Sequence, residues 1–229
     1  MPETQQTTRK TDKRMPRERI LTVGAHNDDY IVGAGGTLAG YSRQGVPFWS
    51  IVFSYGEMSH PHIKKKYSIS MRVKESLKAD KMLGGSGIVY LGLPEGKFRE
   101  PANEDAARRT LQRLIKKHKP TKIFTHSPND PHPDHFAVYT ITLDTLNEMG
   151  YDAEVYSFDV WNLFTLKKKE NPILVVDIKD SFHTKMQAFK AHKSQMMAYW
   201  ALVWNLYLKA ITNGMKHGYR YCEVFDKIA

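Results

Sequence analysis

The chain has 229 residues, 41% hydrophobic and 25% charged, with 34 basic against 24 acidic side chains for a net charge of +10. This length suits one α/β domain with a sizeable core, and the composition excludes a disordered or fibrous chain. The single cysteine, Cys222, excludes an internal disulfide framework, so the fold needs no oxidising compartment and a cytoplasmic location is expected.

Residues 1–19 (MPETQQTTRKTDKRMPRER) show no apolar periodicity and no apolar core of a secretory signal. They are expected to be a disordered basic tail, with a single domain over 20–229. "ILTVGA" reads as a first buried strand. After Asp28 and Asp29, "GGTLAGYSRQG" reads as a helix ending at Gly45. "PFWSIVFSYG" is a second strand. "SISMRVKESLKADKMLG" carries Val73, Leu77, Met82 and Leu83 on a helical stripe and stops at Gly84-Gly85. "GIVYLGLP" is a third strand. "NEDAARRTLQRLIKKH" predicts a helix with Asn103 as its N-cap, its acidic start and basic end matching the helix dipole. "TKIFTHSP" is a fourth strand, and "PDHFAVYTITLDTLNEMG" a helix with Gly150 after it. "AEVYSFDV" and "PILVVDI" read as two more strands, and two helices follow over about 181–195 and 198–213. The apolar run 196–208 (MMAYWALVWNLYL) is short of the roughly 20 residues a membrane span needs and reads as a buried helix, so no membrane partner is expected.

Strands alternating with helices predict an α/β fold: a mostly parallel sheet with helices on both faces. The basic residues are scattered over the tail and short runs such as Lys64–Lys66, Lys116–Lys119 and Lys167–Lys169. These read as solvated loops and helix ends, so no nucleic-acid partner is expected.

In open α/β sheets ligands bind beyond the carboxyl ends of the strands, where strand order reverses. The first and fourth strands flank the natural switch point. "AHNDD" follows the first, and "HSPNDPHPDH" follows the fourth. His26, Asp28 and Asp29 are thereby expected to neighbour His126, Asp130, His132, Asp134 and His135. Imidazole and carboxylate donors without thiolate suit catalytic Zn²⁺ or another divalent transition metal. Such a metal lowers the pKa of water toward roughly 7, and a spare carboxylate can take the proton. That chemistry hydrolyses an amide or ester.

Other readings stand beside this one. Asp28-Asp29 can simply cap a helix, and the histidines of HxxH at 132–135 can cap the next. Asp/His clusters also build two-metal phosphohydrolases, here one acting on a small phosphorylated metabolite. "GAGG" at 33–36 hints at a nucleotide-phosphate loop but lacks the full GxGxxG spacing. His60 and His62 read as solvent-exposed loop residues.

"AHNDD" resembles the AHPDD motif of the LmbE-like (PIG-L) family of zinc-dependent N-acetylglucosaminyl de-N-acetylases, and "PHPDH" resembles its HPDH motif. "GGT" (35–37), "YGE" (55–57) with Arg72, Glu75 and "LGG" (83–85), "LGLPEG" (91–96), "AHKSQ" (191–195) and "YCEVF" (221–225) are similar to further segments of that family, in order. The resemblance implies a Rossmann-like fold and removal of an N-acetyl group from an aminosugar conjugate, a small N-acetylated molecule, with release of acetate. It implies zinc held by His26, Asp29 and His135, and Asp28 as general base. It places His132 on the oxyanion or the leaving amine, with Asp134 orienting it. Arg72 and His192 are implied in substrate binding, and His192 alternatively in a subunit contact or simple packing; a homo-oligomer is compatible. The departure is Asn27, where the family has proline, which leaves the turn less preset.

Overall fold

The computed structural model describes residues 18–59, 64–161 and 172–229. Among these residues a seven-stranded sheet runs in the order β3-β2-β1-β4-β5-β7-β6. Its strands are β1 (Ile20–Gly24), β2 (Phe48–Val52), β3 (Ile88–Tyr90), β4 (Lys122–His126), β5 (Glu154–Phe158), β6 (Ile173–Asp177) and β7 (Cys222–Lys227). β1 pairs in parallel with both β2 and β4, and β4 with β5. β7 inserts antiparallel between β5 and β6. The sheet is therefore mostly parallel, as expected, with one strand more than the sequence suggested.

Among the described residues six α-helices accompany it: α1 (Asp29–Arg43), α2 (Lys65–Leu83), α3 (Pro101–His118), α4 (Pro133–Met149), α5 (Phe182–Lys190) and α6 (Met196–His217). Side chains alternate across β1. Ile20 joins Tyr30, Leu38, Phe189 and Leu202 in the core under α1, α2, α5 and α6. Leu21 and Val23 join Leu111, Val138 and Ile141 under α3 and α4. A strand buried on both faces explains why β1 reads as an unbroken apolar run.

Several boundaries differ from expectation. α1 starts at Asp29, well before Gly35, because the Asp28 carbonyl already accepts the Ile31 and Val32 N–H groups at 3.0 and 2.9 Å. Asn103 is not the cap of α3. The helix starts at Pro101, whose fixed φ suits the first helical position, and Asn103 Nδ2 donates to the Lys97 carbonyl at 2.9 Å. Of the tail, Glu18 and Arg19 are joined to the sheet: Arg19 N–H donates to Thr121 Oγ1 at 3.1 Å, and Glu18 pairs with Lys122. Residues 1–17, His60, His62 and Lys167–Lys169 lie outside the described residues.

The glycine run of α1 is occupied by packing. A Cβ on Gly33 would stand 2.2 Å from the Phe158 ring, and one on Gly36 would stand 2.9 Å from Ile178. The Gly36 and Thr37 N–H groups donate to the buried Glu223 carboxylate at 3.1 and 2.7 Å. A nucleotide phosphate has no place there.

Candidate active site

β1 and β4 lie side by side, so the loops after them meet at one end of the sheet. His26 leaves β1, Asp29 opens α1, and His132 and His135 stand at the start of α4. His26 Nδ1 lies 3.4 Å from Asp29 Oδ2 and 3.4 Å from His135 Nε2, and His135 Nε2 lies 3.5 Å from Asp29 Oδ1. Ligand distances of about 2.0–2.1 Å in a tetrahedral site separate donor atoms by about 3.3–3.4 Å. Two imidazole nitrogens and a carboxylate at these separations fit a divalent cation held between them.

The surrounding carboxylates fix how the rings are turned. His26 Nε2 lies 3.3 Å from Asp134 Oδ2, and His135 Nδ1 lies 2.9 Å from Asp130 Oδ1. Each ring can thus give its proton to a carboxylate and leave the other nitrogen free to ligate. Asp134 is itself held by the Gly96 N–H at 2.9 Å. Asp130 accepts the N–H groups of His132, Val160 and Trp161. Burial opposes charge on His26, but Asp29 and Asp134 outweigh it and push its pKa up to about 10. Burial likewise opposes charge on His135, and Asp29 and Asp130 push it up to about 9. The cluster therefore favours positive charge at its centre, as a cation site requires.

Asp28 holds the N-cap position of α1, yet its side chain makes no capping hydrogen bond. Its Oδ1 instead faces Arg72 Nη2 at 3.9 Å. The adjacent carboxylates are therefore distinct: Asp29 faces the histidines, and Asp28 faces the guanidinium. His132 does cap α4, its Nδ1 accepting the Asp134 backbone N–H at 3.2 Å. A neutral His132 then carries its proton on Nε2, which points that donor away from the helix.

Asp134 differs from expectation. Its backbone meets His132, but its carboxylate turns to His26 and Gly96, so it orients His26 rather than His132. Arg72 and His192 lie behind Asp28, exposed by only 2% and 1%. Arg72 Nη1 donates to the Gly56 carbonyl at 2.9 Å, and His192 Nε2 lies 3.3 Å from Ser76 Oγ.

The sequence profile of the family described as PIG-L, GlcNAc-PI de-N-acetylase, matches residues 21–146. The chain belongs to that family. Its chemistry is hydrolytic removal of an N-acetyl group. A diacetylchitobiose deacetylase of Thermococcus kodakarensis is 24% identical over 90% of this chain and 81% of its own. The solved N,N'-diacetylchitobiose deacetylase of Pyrococcus horikoshii superposes with a TM-score of 0.76 at 23% identity, covering 91% of this chain and 82% of that one. A 4-carboxy-2-hydroxymuconate hydratase of Pseudomonas putida, GalB, superposes as well, with a TM-score of 0.77 at 17% identity over 93% of this chain and 96% of its own. The fold alone thus does not decide the reaction, and the site residues must.

Two buried members of this PIG-L site were quoted in the sequence clusters without a role. Asp130 precedes the N-cap of α4 by two residues and holds both the His132 N–H and the His135 ring. His126 ends β4, stacks on His135 at 3.9 Å between ring centroids and lies 3.1 Å from Asp29 Oδ2. Burial, reinforced by the neighbouring His135, pushes its pKa down to about 4, so its imidazole is neutral. An apolar strand ending in histidine, and an aspartate two residues before a helix cap, were the available signals.

Proposed function

We propose that the chain is a zinc-dependent hydrolase that removes the N-acetyl group from an N-acetylglucosamine-type conjugate, releasing acetate and a free amine. The observation that carries this reading is the convergence of His26, Asp29 and His135 at tetrahedral edge lengths beside a carboxylate, Asp28, kept out of both the metal cluster and the helix cap. A bound divalent metal supplies Lewis-acid chemistry, polarising the amide carbonyl and making water more acidic.

The chain's own residues supply the rest. Asp28 takes the proton of the attacking water, with Arg72 steadying its carboxylate. His132 presents Nε2–H to the oxygen that gains charge, and the same proton can pass to the departing amine. Asp134 and Asp130 hold His26 and His135 in register. Arg72 and His192 act on substrate indirectly, through the position of Asp28, since both are buried behind it. Trp161 is bound through its backbone to Asp130 and is 39% exposed, so its ring offers an apolar wall to a sugar face. Among the described residues no helix is long and apolar enough to cross a membrane. A cytoplasmic location rests on the sequence, chiefly its single cysteine, which is buried.

Acetate release from a panel of N-acetylated sugar conjugates, with and without chelator, tests this reading. Chelator-sensitive release with one metal per chain supports it. No release from any member, or two metals per chain with phosphate released from phosphorylated sugars, replaces it with the phosphohydrolase reading.

A further inference from the structure

α6 buries one face and leaves the other bare. Leu202, Val203, Leu206 and Ala210 pack into the core, while Met197, Trp204, Leu208 and Met215 are 90%, 71%, 58% and 71% exposed. The exposed positions 197, 201, 204, 208, 211 and 215 alternate in steps of four and three. That is the a/d pattern of a coiled-coil seam, sustained along almost the whole of a 22-residue helix. Trp200 and Tyr207 flank the seam on one side, Asn205 and Thr212 on the other.

We propose that this face pairs with α6 of a second copy of the chain. Three observations favour that occupant. The 3.5-residue period suits the groove of another helix, whereas a lipid surface asks only for a broad apolar face with a basic rim. All four flanking positions are uncharged, and Lys209 and Lys216 sit beyond them, so a two-fold pairing brings no like charges together despite a net charge of +10. At roughly 200 Å² per fully exposed large side chain, the seam and its flanking aromatics present on the order of 800 Å². That exceeds the patch of about 300–600 Å² typical of a monomer and matches the roughly 800 Å² per partner of a stable interface.

The test is sedimentation equilibrium of the full chain and of Trp204→Lys and Leu208→Lys, with Tyr67→Lys as a control at an exposed site on α2. The native chain and the control are expected at twice the mass of one chain. Each seam variant is expected to raise the dimer dissociation constant about 30-fold or more, with unchanged circular dichroism and metal content. Both substituted side chains point to solvent in the single chain, so the variants fold. A native chain that is monomeric at tens of micromolar overturns the proposal. So does a dimer indifferent to both seam variants, or a monomer that adheres to anionic phospholipid vesicles through Trp204.

Discussion

Two clusters of buried charged side chains touch α1. Halfway along the helix, Lys185 Nζ donates to the Val32 carbonyl at 2.7 Å and to Glu223 Oε1 at 2.6 Å, and Glu223 accepts two backbone N–H groups of α1. One positive group meets one negative group, and the remaining acceptors face donors. At the first turn, four carboxylates (Asp28, Asp29, Asp130 and Asp134) surround four histidines (His26, His126, His132 and His135), and Arg72 is the fixed cation beside them. Both clusters are buried and charged, so neither property marks function by itself. What marks the second is its excess of negative charge and the facing of two imidazole nitrogens, His26 Nδ1 and His135 Nε2, that have no reason to attract one another.

The sharpest way to break this contrast is Asp29→Ala. It removes a ligand and is expected to lower kcat by about 10⁴-fold or more, with metal content falling near zero by elemental analysis. Asp29 also accepts the His26 backbone N–H at 2.7 Å and pairs with buried histidines, so the variant should unfold at lower urea as well, and metal content is read on the folded protein. A variant retaining both metal and rate would dissolve the distinction between the clusters.

Lys185→Met probes the other side. It leaves Glu223 buried without its cation and is expected to cost about 3–5 kcal/mol of stability by urea unfolding, while metal content stays at one per chain. The double variant Lys185→Met/Glu223→Gln should lose less than the two single variants together, since the partners are in contact. Loss of metal in the folded single variant would mean that the two clusters are coupled through α1.

Within the site, Asp28→Asn separates the neighbouring carboxylates. A drop in kcat on the order of 10² to 10⁴ is expected with the metal retained. Retained activity with a full metal complement would remove Asp28 as the base. Parallel loss of metal and rate would erase its difference from Asp29.

How much of this was legible in the chain depended on the range of the interaction. The β1 and β4 positions could be read because a doubly buried parallel strand needs an unbroken apolar run, and their adjacency followed from topology. The proposed ligand set of His26, Asp29 and His135, and the role proposed for Asp28, came from the resemblance of "AHNDD" and "PHPDH" to the family's motifs. The partner of Asp134 could not be read, because His132 is two residues away in sequence while His26 reaches it only through the fold. β7 was missed for a related reason: "CEVFDK" carries Glu223, whose role is to meet Lys185 and α1, and so breaks the apolar run expected of a strand. The glycines of α1 hinted at a phosphate loop, against which the missing GxGxxG spacing already spoke, because such a loop and close helix packing ask for the same residue.

The smallest expected effect concerns Asn27, the position where the family carries proline. Asn27 is fully buried, its Nδ2 donates to the Tyr55 carbonyl at 2.9 Å, and its own carbonyl lies 3.5 Å from Ser76 Oγ. The turn between His26 and Asp28 is thus tied to the loop after β2 by a hydrogen bond, where a proline ring would set φ covalently. Asn27→Ala removes the bond and leaves the Tyr55 carbonyl without that donor. It is expected to cost about 1 kcal/mol in urea unfolding and to lower kcat a few-fold, with metal retained. Asn27→Pro should recover kcat toward the native value, because the ring restores the turn, but not the stability, because Tyr55 still lacks its donor. Recovery of neither would show that the backbone at residue 27 has moved away from the conformation proline holds. The Asn27–Tyr55 hydrogen bond would then do in this chain what the proline ring does in the family, holding ligand and base in register.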